Sequence, residues 1–143
     1  MNCKHGLHEL RCDATRCGKI LRLSYMTKEN LIEISKKFAI DVIQICKTIR
    51  EERKENVLVN QLLRSGTSVG ANIHEANYAS SRLDFINKFQ IALKECYETD
   101  YWLEIFMRTG YLREEEYQRL NAACCKLRKM LTASLNTAKQ NIN

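Results

Sequence analysis

The sequence contains no proline and only five glycines among its 143 residues. Both residue types interrupt helices and form the turns between strands. A β-sandwich with a turn about every ten residues, or a parallel sheet with crossovers, would require more of them. Their scarcity therefore excludes most sheet architectures and favours long helices.

Long apolar runs are also missing. No stretch approaches the roughly 20 apolar residues of a membrane-spanning helix, so we expect no membrane partner. The apolar segment at residues 20–23 is short and contains Arg22, unlike the core of a signal peptide. Without an export signal, an odd number of cysteines indicates reduced thiols in a cytoplasmic protein. The seven cysteines are Cys3, Cys12, Cys17, Cys46, Cys96, Cys124 and Cys125.

Positive charge exceeds negative charge, with a formal net charge of +6. Residues 1–26 contain five basic and two acidic side chains, and residues 27–143 contain eighteen and fifteen. Each part therefore carries +3. A mildly basic body permits a polyanionic partner without requiring one.

Hydrophobic periodicity divides the chain into two parts. Residues 1–26 show no sustained period and contain Gly6 and Gly18, which predicts a loosely ordered N-terminal extension. Thr27 is a suitable N-cap for the first helix. We therefore expect the folded domain to comprise residues 27–143.

Four helices are predicted within this domain, at about residues 28–54, 57–78, 82–109 and 114–139. Ser81 is the expected N-cap of the third helix, and Gly110 is the expected residue after its end. Short connections between long helices indicate antiparallel neighbours, so the predicted fold is all-α, an up-down-up-down four-helix bundle. Each helix carries a core seam at spacings of three and four residues. The seams are Leu31, Ser35, Phe38, Val42, Ile45 and Ile49; Leu58, Leu62, Ser65, Val69, Asn72 and Ala76; Phe85, Phe89, Ala92, Cys96, Thr99, Leu103 and Phe106; and Tyr117, Leu120, Cys124, Leu127, Leu131, Ser134 and Ala138.

Apolar side chains also lie opposite the seams of the first and third helices. They are Ile32, Ile40 and Ile43 on the first helix, and Ile91, Tyr101, Trp102 and Ile105 on the third. Contiguous exposed apolar surface usually marks an interface, which favours self-association. The alternative is that some of these residues line the edges of the bundle.

The second helix carries a polar stripe beside the small residues Gly66 and Gly70. Its members, at spacings of three and four, are Gln61, Arg64, Ser68, Asn72 and Glu75. Glu95 and Glu98 of the third helix are placed to meet Arg64 across an interface. A hydrogen-bond network that fixes helix register is favoured over a catalytic role.

Two segments carry a family resemblance: QLLRSGTSVGANIHEA (residues 61–76) and FINKFQIALKECYETDYWLEIF (residues 85–106). In this order they resemble the four-helix-bundle proteins encoded in intervening sequences of bacterial 23S rRNA genes. The resemblance covers about residues 28–138, and departs from the pattern at Gly66, at Val69 and at Ala76-Asn77. It implies a homopentameric ring related to the accessory variability protein of diversity-generating retroelements, which associates with a reverse transcriptase and nucleic acid.

Two rows of basic residues are candidates for binding a negatively charged ligand. The first helix carries Lys36, Lys47, Arg50 and Lys54, and the fourth carries Arg119, Lys126 and Lys129. Together with the resemblance, they predict a non-enzymatic scaffold that binds RNA or DNA, with RNA favoured, mainly through phosphate. We expect no aromatic stacking platform for single strands. The alternative is an adaptor ring that binds protein partners only.

Catalytic and metal-binding motifs are weak. The sequence has no glycine-rich phosphate loop and no Glu-x-x-His pair, and His74 is the only histidine after residue 26. Cys124 and Cys125 are expected to be packing thiols. The segment with Cys3, His5, His8, Cys12 and Cys17 has no zinc-module spacing. We therefore predict no catalytic residue, cofactor or metal.

Overall fold

The computed structural model describes the backbone of residues 17–140 and the side chains of residues 30–140. Four α-helices form this part of the chain, without any strand. They are α1 (Cys17–Arg53), α2 (Val57–Ala76), α3 (Arg82–Arg108) and α4 (Glu114–Gln140). The predicted all-α class with four helices is confirmed.

The helices form an antiparallel bundle. Each packs against its neighbour in sequence, and α4 packs back against α1. The α3–α4 connection lies at the same end of the bundle as the end of α1, since Arg53 Nη2 donates to the Gly110 carbonyl at 3.4 Å. Between residues 17 and 140, no helix is both long enough and apolar enough to cross a membrane.

The buried residues follow the predicted seams closely on α1 and less closely on α2. Every α1 seam residue is buried. On α2, Val59 and Ile73 are buried, whereas the predicted seam residues Leu58 and Asn72 are only partly buried. The prediction was wrong at these positions because α2 packs against both α1 and α3, so its buried stripe is wider than one seam. The seams of α3 and α4 need smaller corrections of the same kind. The predicted seam residues Phe85, Tyr117 and Ser134 are only partly buried, whereas Ile86 and Leu135, which were not predicted, are buried.

Both predicted signals at the ends of α3 are confirmed. The Ser81 hydroxyl accepts a hydrogen bond from the Asp84 backbone N–H at 3.1 Å, as an N-cap should. Gly110 follows the helix with φ of +75°. In this left-handed conformation a residue without a Cβ is favoured, so Gly110 ends the helix at low cost.

The predicted start of the first helix was wrong. α1 begins at Cys17, so its backbone includes residues 17–26 and Thr27 is not an N-cap. No glycine or proline lies between Gly18 and Arg53 to interrupt the helix. Residues 1–16, and the loose order predicted for them, lie outside the described residues. α2 ends at Ala76, two residues before the predicted end.

Candidate nucleic-acid and assembly surfaces

Three members of the first basic row are exposed and Arg50 is partly buried, and several of their charges are compensated. Lys36 Nζ lies 2.8 Å from Glu33 Oε1, and Lys47 Nζ lies 4.0 Å from Glu51 Oε1. Arg50 donates to Asn60 Oδ1 on α2. Lys54 is exposed and forms no ion pair within the described residues. Lys54, one residue after the end of α1, is thus the member of this row with the greatest freedom to meet an external anion.

The basic row of α4 divides between two sides of the helix. Arg119 Nη1 lies 3.0 Å from Asp41 Oδ2, so Arg119 holds α4 to α1. Lys129 instead lines a groove between α3 and α4. Lys126 and Lys129 are exposed, and neither has a salt bridge in the part of the chain that the structure describes. The two lysines therefore remain available for an anionic ligand, whereas Arg119 is already engaged.

The α2 polar stripe contacts α3 of the same chain. Arg64 Nη2 donates to Glu98 Oε1 at 3.1 Å, and Lys88 of α3 forms a salt bridge with Glu75. Asn72 Nδ2 donates to the Ser68 carbonyl at 2.8 Å, within the stripe. The other member, Gln61, is partly buried. The predicted Arg64–Glu98 contact forms, and it lies within one chain, where with the Glu75–Lys88 pair it joins α2 to α3.

Glu95 behaves differently from Glu98. Its Oε2 atom is buried and has no hydrogen-bond partner within the described residues. Burial raises the pKa of the Glu95 carboxyl, and the neighbouring Glu98 raises it further, against smaller effects of Arg64 and Lys94. Glu98 alone forms the ion pair predicted for both glutamates. The orphaned oxygen is a cost of folding in the single chain.

The predicted assembly residues fall into three groups. Ile40 and Ile43 are 54% and 47% exposed on α1, and Tyr101 is 57% exposed on α3. Two further predicted residues, Ile91 and Ile105, are partly buried.

The third group consists of Ile32 and Trp102, which are also partly buried and which pack against the core. In the single chain these two side chains line the edge of the bundle, and their place in an assembly interface stays a prediction. Sequence analysis also missed the exposed apolar side chains Val57, Tyr78 and Leu83.

A groove of about 450 Å³ between α3 and α4 was not predicted. Arg128 is one of its lining residues: Nη1 contacts Asp100 Oδ2 at 2.9 Å, and Nη2 lies 2.8 Å from Cys125 Sγ. The Arg128 guanidinium also lies 5.1 Å from the ring centroid of Tyr97, which is 57% exposed. Tyr97 is thus an exposed aromatic side chain beside basic residues, whereas the absence of an aromatic stacking platform stays a prediction. The sequence signal that could have indicated this groove is an aromatic residue, Tyr97, on α3 together with the basic pair Arg128 and Lys129 on α4.

The described cysteines are free thiols. Burial raises the pKa of Cys46 to about 11. A hydrogen bond with Cys124 and burial raise the pKa of Cys96, and Cys124 Sγ lies 3.2 Å from the Cys96 carbonyl oxygen. Cys124 is a packing thiol, as expected, whereas Cys125 is partly exposed in the groove.

Metal ligands do not converge within residues 30–140, where no group of three His, Cys, Asp or Glu side chains could hold an ion. The N-terminal set, Cys3, His5, His8, Cys12 and Cys17, lies outside the described side chains. No feature of the described surfaces therefore points to metal chemistry.

These features define a class: helical-bundle proteins with a polar inter-helix network and mixed basic and apolar outer faces. Within this class, the chain belongs to the family of 23S rRNA-intervening sequence proteins, which it matches over residues 27–133. The family resemblance of the two motifs is thereby confirmed.

A solved structure supports the same assignment. The chain is similar to a protein of unknown function from the S23 ribosomal protein family of Bacteroides thetaiotaomicron, at 46% identity and a TM-score of 0.72. The match covers 73% of this chain and 97% of that chain. No match was found among curated proteins.

Proposed function

We propose that the protein is a non-enzymatic scaffold that assembles from copies of itself and binds nucleic acid, RNA in preference to DNA. The observation that carries this proposal is that three lysines of the two predicted basic rows, Lys54, Lys126 and Lys129, are exposed and form no salt bridge in the described part of a family member with net charge +6. Lysine ammonium groups of this kind bind phosphate as point charges.

Assembly of several copies would increase the total positive charge that a nucleic acid meets. One domain carries only +3 over residues 27–143, and five copies in a ring would carry about +15. Neutralising phosphates releases condensed counterions, so affinity rises with the number of lysine–phosphate contacts and falls steeply with salt. The homopentamer is the assembly that the resemblance implies, and it is part of the proposal.

Apolar surface supports the assembly. Ile40 and Ile43 lie exposed together on α1, and Tyr101 is exposed on α3. Burying such side chains between copies removes apolar area from water, at about 25 cal/mol per Å². These two outer faces are the proposed contacts between copies.

A protein–protein adaptor ring is the second candidate. It is favoured by the exposure of Ile40 and Ile43 and by the carboxylates that already accompany Lys36 and Lys47. In this alternative the charge serves solubility, and the apolar face binds a protein partner such as a reverse transcriptase. We place either function in the cytoplasm, because the free thiols of the described cysteines fit a reducing compartment.

Filter binding with a labelled RNA, titrated at about 50 mM and about 200 mM salt, tests the proposal. The scaffold predicts binding at low salt and a loss of about tenfold or more at the higher salt. The absence of RNA binding at low salt would favour the adaptor. Lys37→Gln/Lys139→Gln, which removes the same charge as Lys126→Gln/Lys129→Gln from exposed lysines that belong to neither basic row, is the matched control.

A further inference from the structure

We infer that the α3–α4 groove seats single-stranded RNA, with an unpaired base stacked on Tyr97 and a backbone phosphate bound by Lys129. This inference rests on the proposed nucleic-acid binding and names the surface and the form of nucleic acid.

The Tyr97 ring is exposed and held in place, as a surface for base stacking should be. Tyr97 is 57% exposed, although large aromatic side chains usually bury most of their area. The Arg128 guanidinium, 5.1 Å from the ring centroid, attracts the ring electrostatically and restrains it. A ring that is held in place and exposed loses little conformational entropy when a base stacks on it.

Arg128 is held in place by two contacts of its own. Asp100 accepts from Nη1 at 2.9 Å, and Cys125 Sγ lies 2.8 Å from Nη2. The Arg128 side chain is only 21% exposed, so its guanidinium keeps a fixed position against one face of the Tyr97 ring. Because Arg128 compensates the nearby carboxylate of Asp100, that carboxylate repels an incoming phosphate less.

Lysines without salt bridges in the described part of the chain lie beside the groove. Lys129 follows Arg128 directly, lines the groove and has no salt bridge within the described residues. Lys94 is exposed on α3, one turn before Tyr97. Phosphates flanking a base on Tyr97 would therefore meet lysines on both helices.

The remaining lining favours RNA in single-stranded form. The Asn136 amide can hydrogen-bond a base edge or a ribose 2′-OH. The Thr132 hydroxyl donates to the Arg128 carbonyl at 2.8 Å and can accept a hydrogen bond from a ligand. The groove is open to solvent rather than enclosed, so a flexible single strand can lie along it. In a duplex the base faces are already stacked, so only an unpaired base can stack on Tyr97.

Fluorescence anisotropy of the full chain with an unstructured 20-nucleotide RNA and a duplex of the same length tests the inference. Tyr97→Ala should weaken single-strand binding by about tenfold, within the range for one lost stacking contact, and leave duplex binding within about twofold. Tyr97→Phe keeps the ring and should bind like the wild type. Tyr78→Ala removes another exposed tyrosine, 78% exposed at the end of α2, and should have no effect.

Alkylation of Cys125 by N-ethylmaleimide gives a second readout within the groove. Among the described cysteines, Cys125 alone is not buried. Bound single-stranded RNA should slow its alkylation, measured by mass spectrometry, in the wild type but not in Tyr97→Ala at the same RNA concentration. Circular dichroism melting of each variant shows that the fold is retained.

The outcomes separate the inference from the proposed function. If the wild type binds RNA in a salt-dependent manner while Tyr97→Ala binds equally well and Cys125 stays unprotected, the groove is excluded and the scaffold stands. If Tyr78→Ala weakens binding as much as Tyr97→Ala, the groove assignment also fails. If the wild type binds no RNA at low salt, the proposed function fails and the groove assignment fails with it.

Discussion

Gly66 on α2 faces Val42 on α1 so closely that a Cβ atom at position 66 would lie 2.8 Å from Val42 Cγ1 and 3.0 Å from Cγ2. One turn later, a Cβ at Gly70 would lie 3.4 Å from the Ser35 carbonyl oxygen, an ordinary contact distance. The two glycines look alike in sequence, yet only Gly66 is required by the approach of the helices.

Replacing each glycine by alanine should therefore have opposite effects on the free energy of unfolding. Gly70→Ala should raise it by up to about 1 kcal/mol through helix propensity. Gly66→Ala gains the same propensity but forces the stiff, buried Val42 side chain to move, and such overpacking costs about 1–3 kcal/mol. Urea unfolding of both variants measures the difference.

A second substitution isolates the cause. In a Val42→Ala background the space beside position 66 is open, so Gly66→Ala should become stabilising. If Gly66→Ala and Gly70→Ala change stability in the same direction and by the same amount, the close approach is not the reason for Gly66.

Glu95 should make stability depend on pH. Its pKa is raised above the ordinary value near 4.5, so the folded chain binds this proton more tightly than the unfolded chain does. The resulting contribution is fully present below that ordinary value and is lost as pH rises through the raised pKa. Glu95→Gln removes the buried charge and should raise the melting temperature at pH 7, with the gain shrinking towards pH 4.

Glu52→Gln, at an exposed position on α1, is the matched control and should change the melting temperature little at either pH. Equal gains for Glu95→Gln at pH 4 and pH 7 would contradict the assignment of the effect to the buried carboxylate. Melting curves by circular dichroism across this range provide the comparison.

The assembly faces make a prediction that separates exposed from packed residues. Ile40→Asp should lower the native mass in light scattering while leaving thermal stability of the helices nearly unchanged, because Ile40 is 54% exposed. Trp102→Ala should lower both, since Trp102 packs against the core. Leu83→Asp, at a 73% exposed position outside both predicted faces, should change neither. A native mass unaffected by Ile40→Asp would remove α1 from the interface.

The two sides of α4 should respond differently to loss of charge. Arg119→Gln breaks the Arg119–Asp41 salt bridge and should cost at most about 1 kcal/mol of stability, because exposed pairs contribute little. Lys126→Gln/Lys129→Gln should leave stability unchanged and weaken RNA binding to all sequences alike. If Arg119→Gln weakens binding as much as the double lysine variant, the α1–α4 side also contacts nucleic acid.

Sequence periodicity predicted some parts of this fold well because burial on one side leaves a regular pattern. The α1 seam and the caps at Ser81 and Gly110 depend only on local spacing and backbone conformation, and all were predicted. The start of α1 was not, since Thr27 is a good N-cap that the continuing helix does not use.

The site was less predictable because it depends on tertiary register. The Arg128–Tyr97 contact joins residues 31 positions apart, and no local pattern specifies it. The same applies to Ile32 and Trp102, whose burial depends on how neighbouring helices cover the edges of the bundle. The Arg64–Glu98 pair was predicted from charge complementarity, whereas its location within one chain required the structure.

Native mass spectrometry of the full chain with a 20-nucleotide single-stranded RNA tests the central claim most directly. The account predicts a complex of five times the 16.7 kDa chain mass with RNA bound at low salt, and loss of the RNA as salt is raised before measurement. A single chain without RNA at low salt would contradict both the assembly and the nucleic-acid binding.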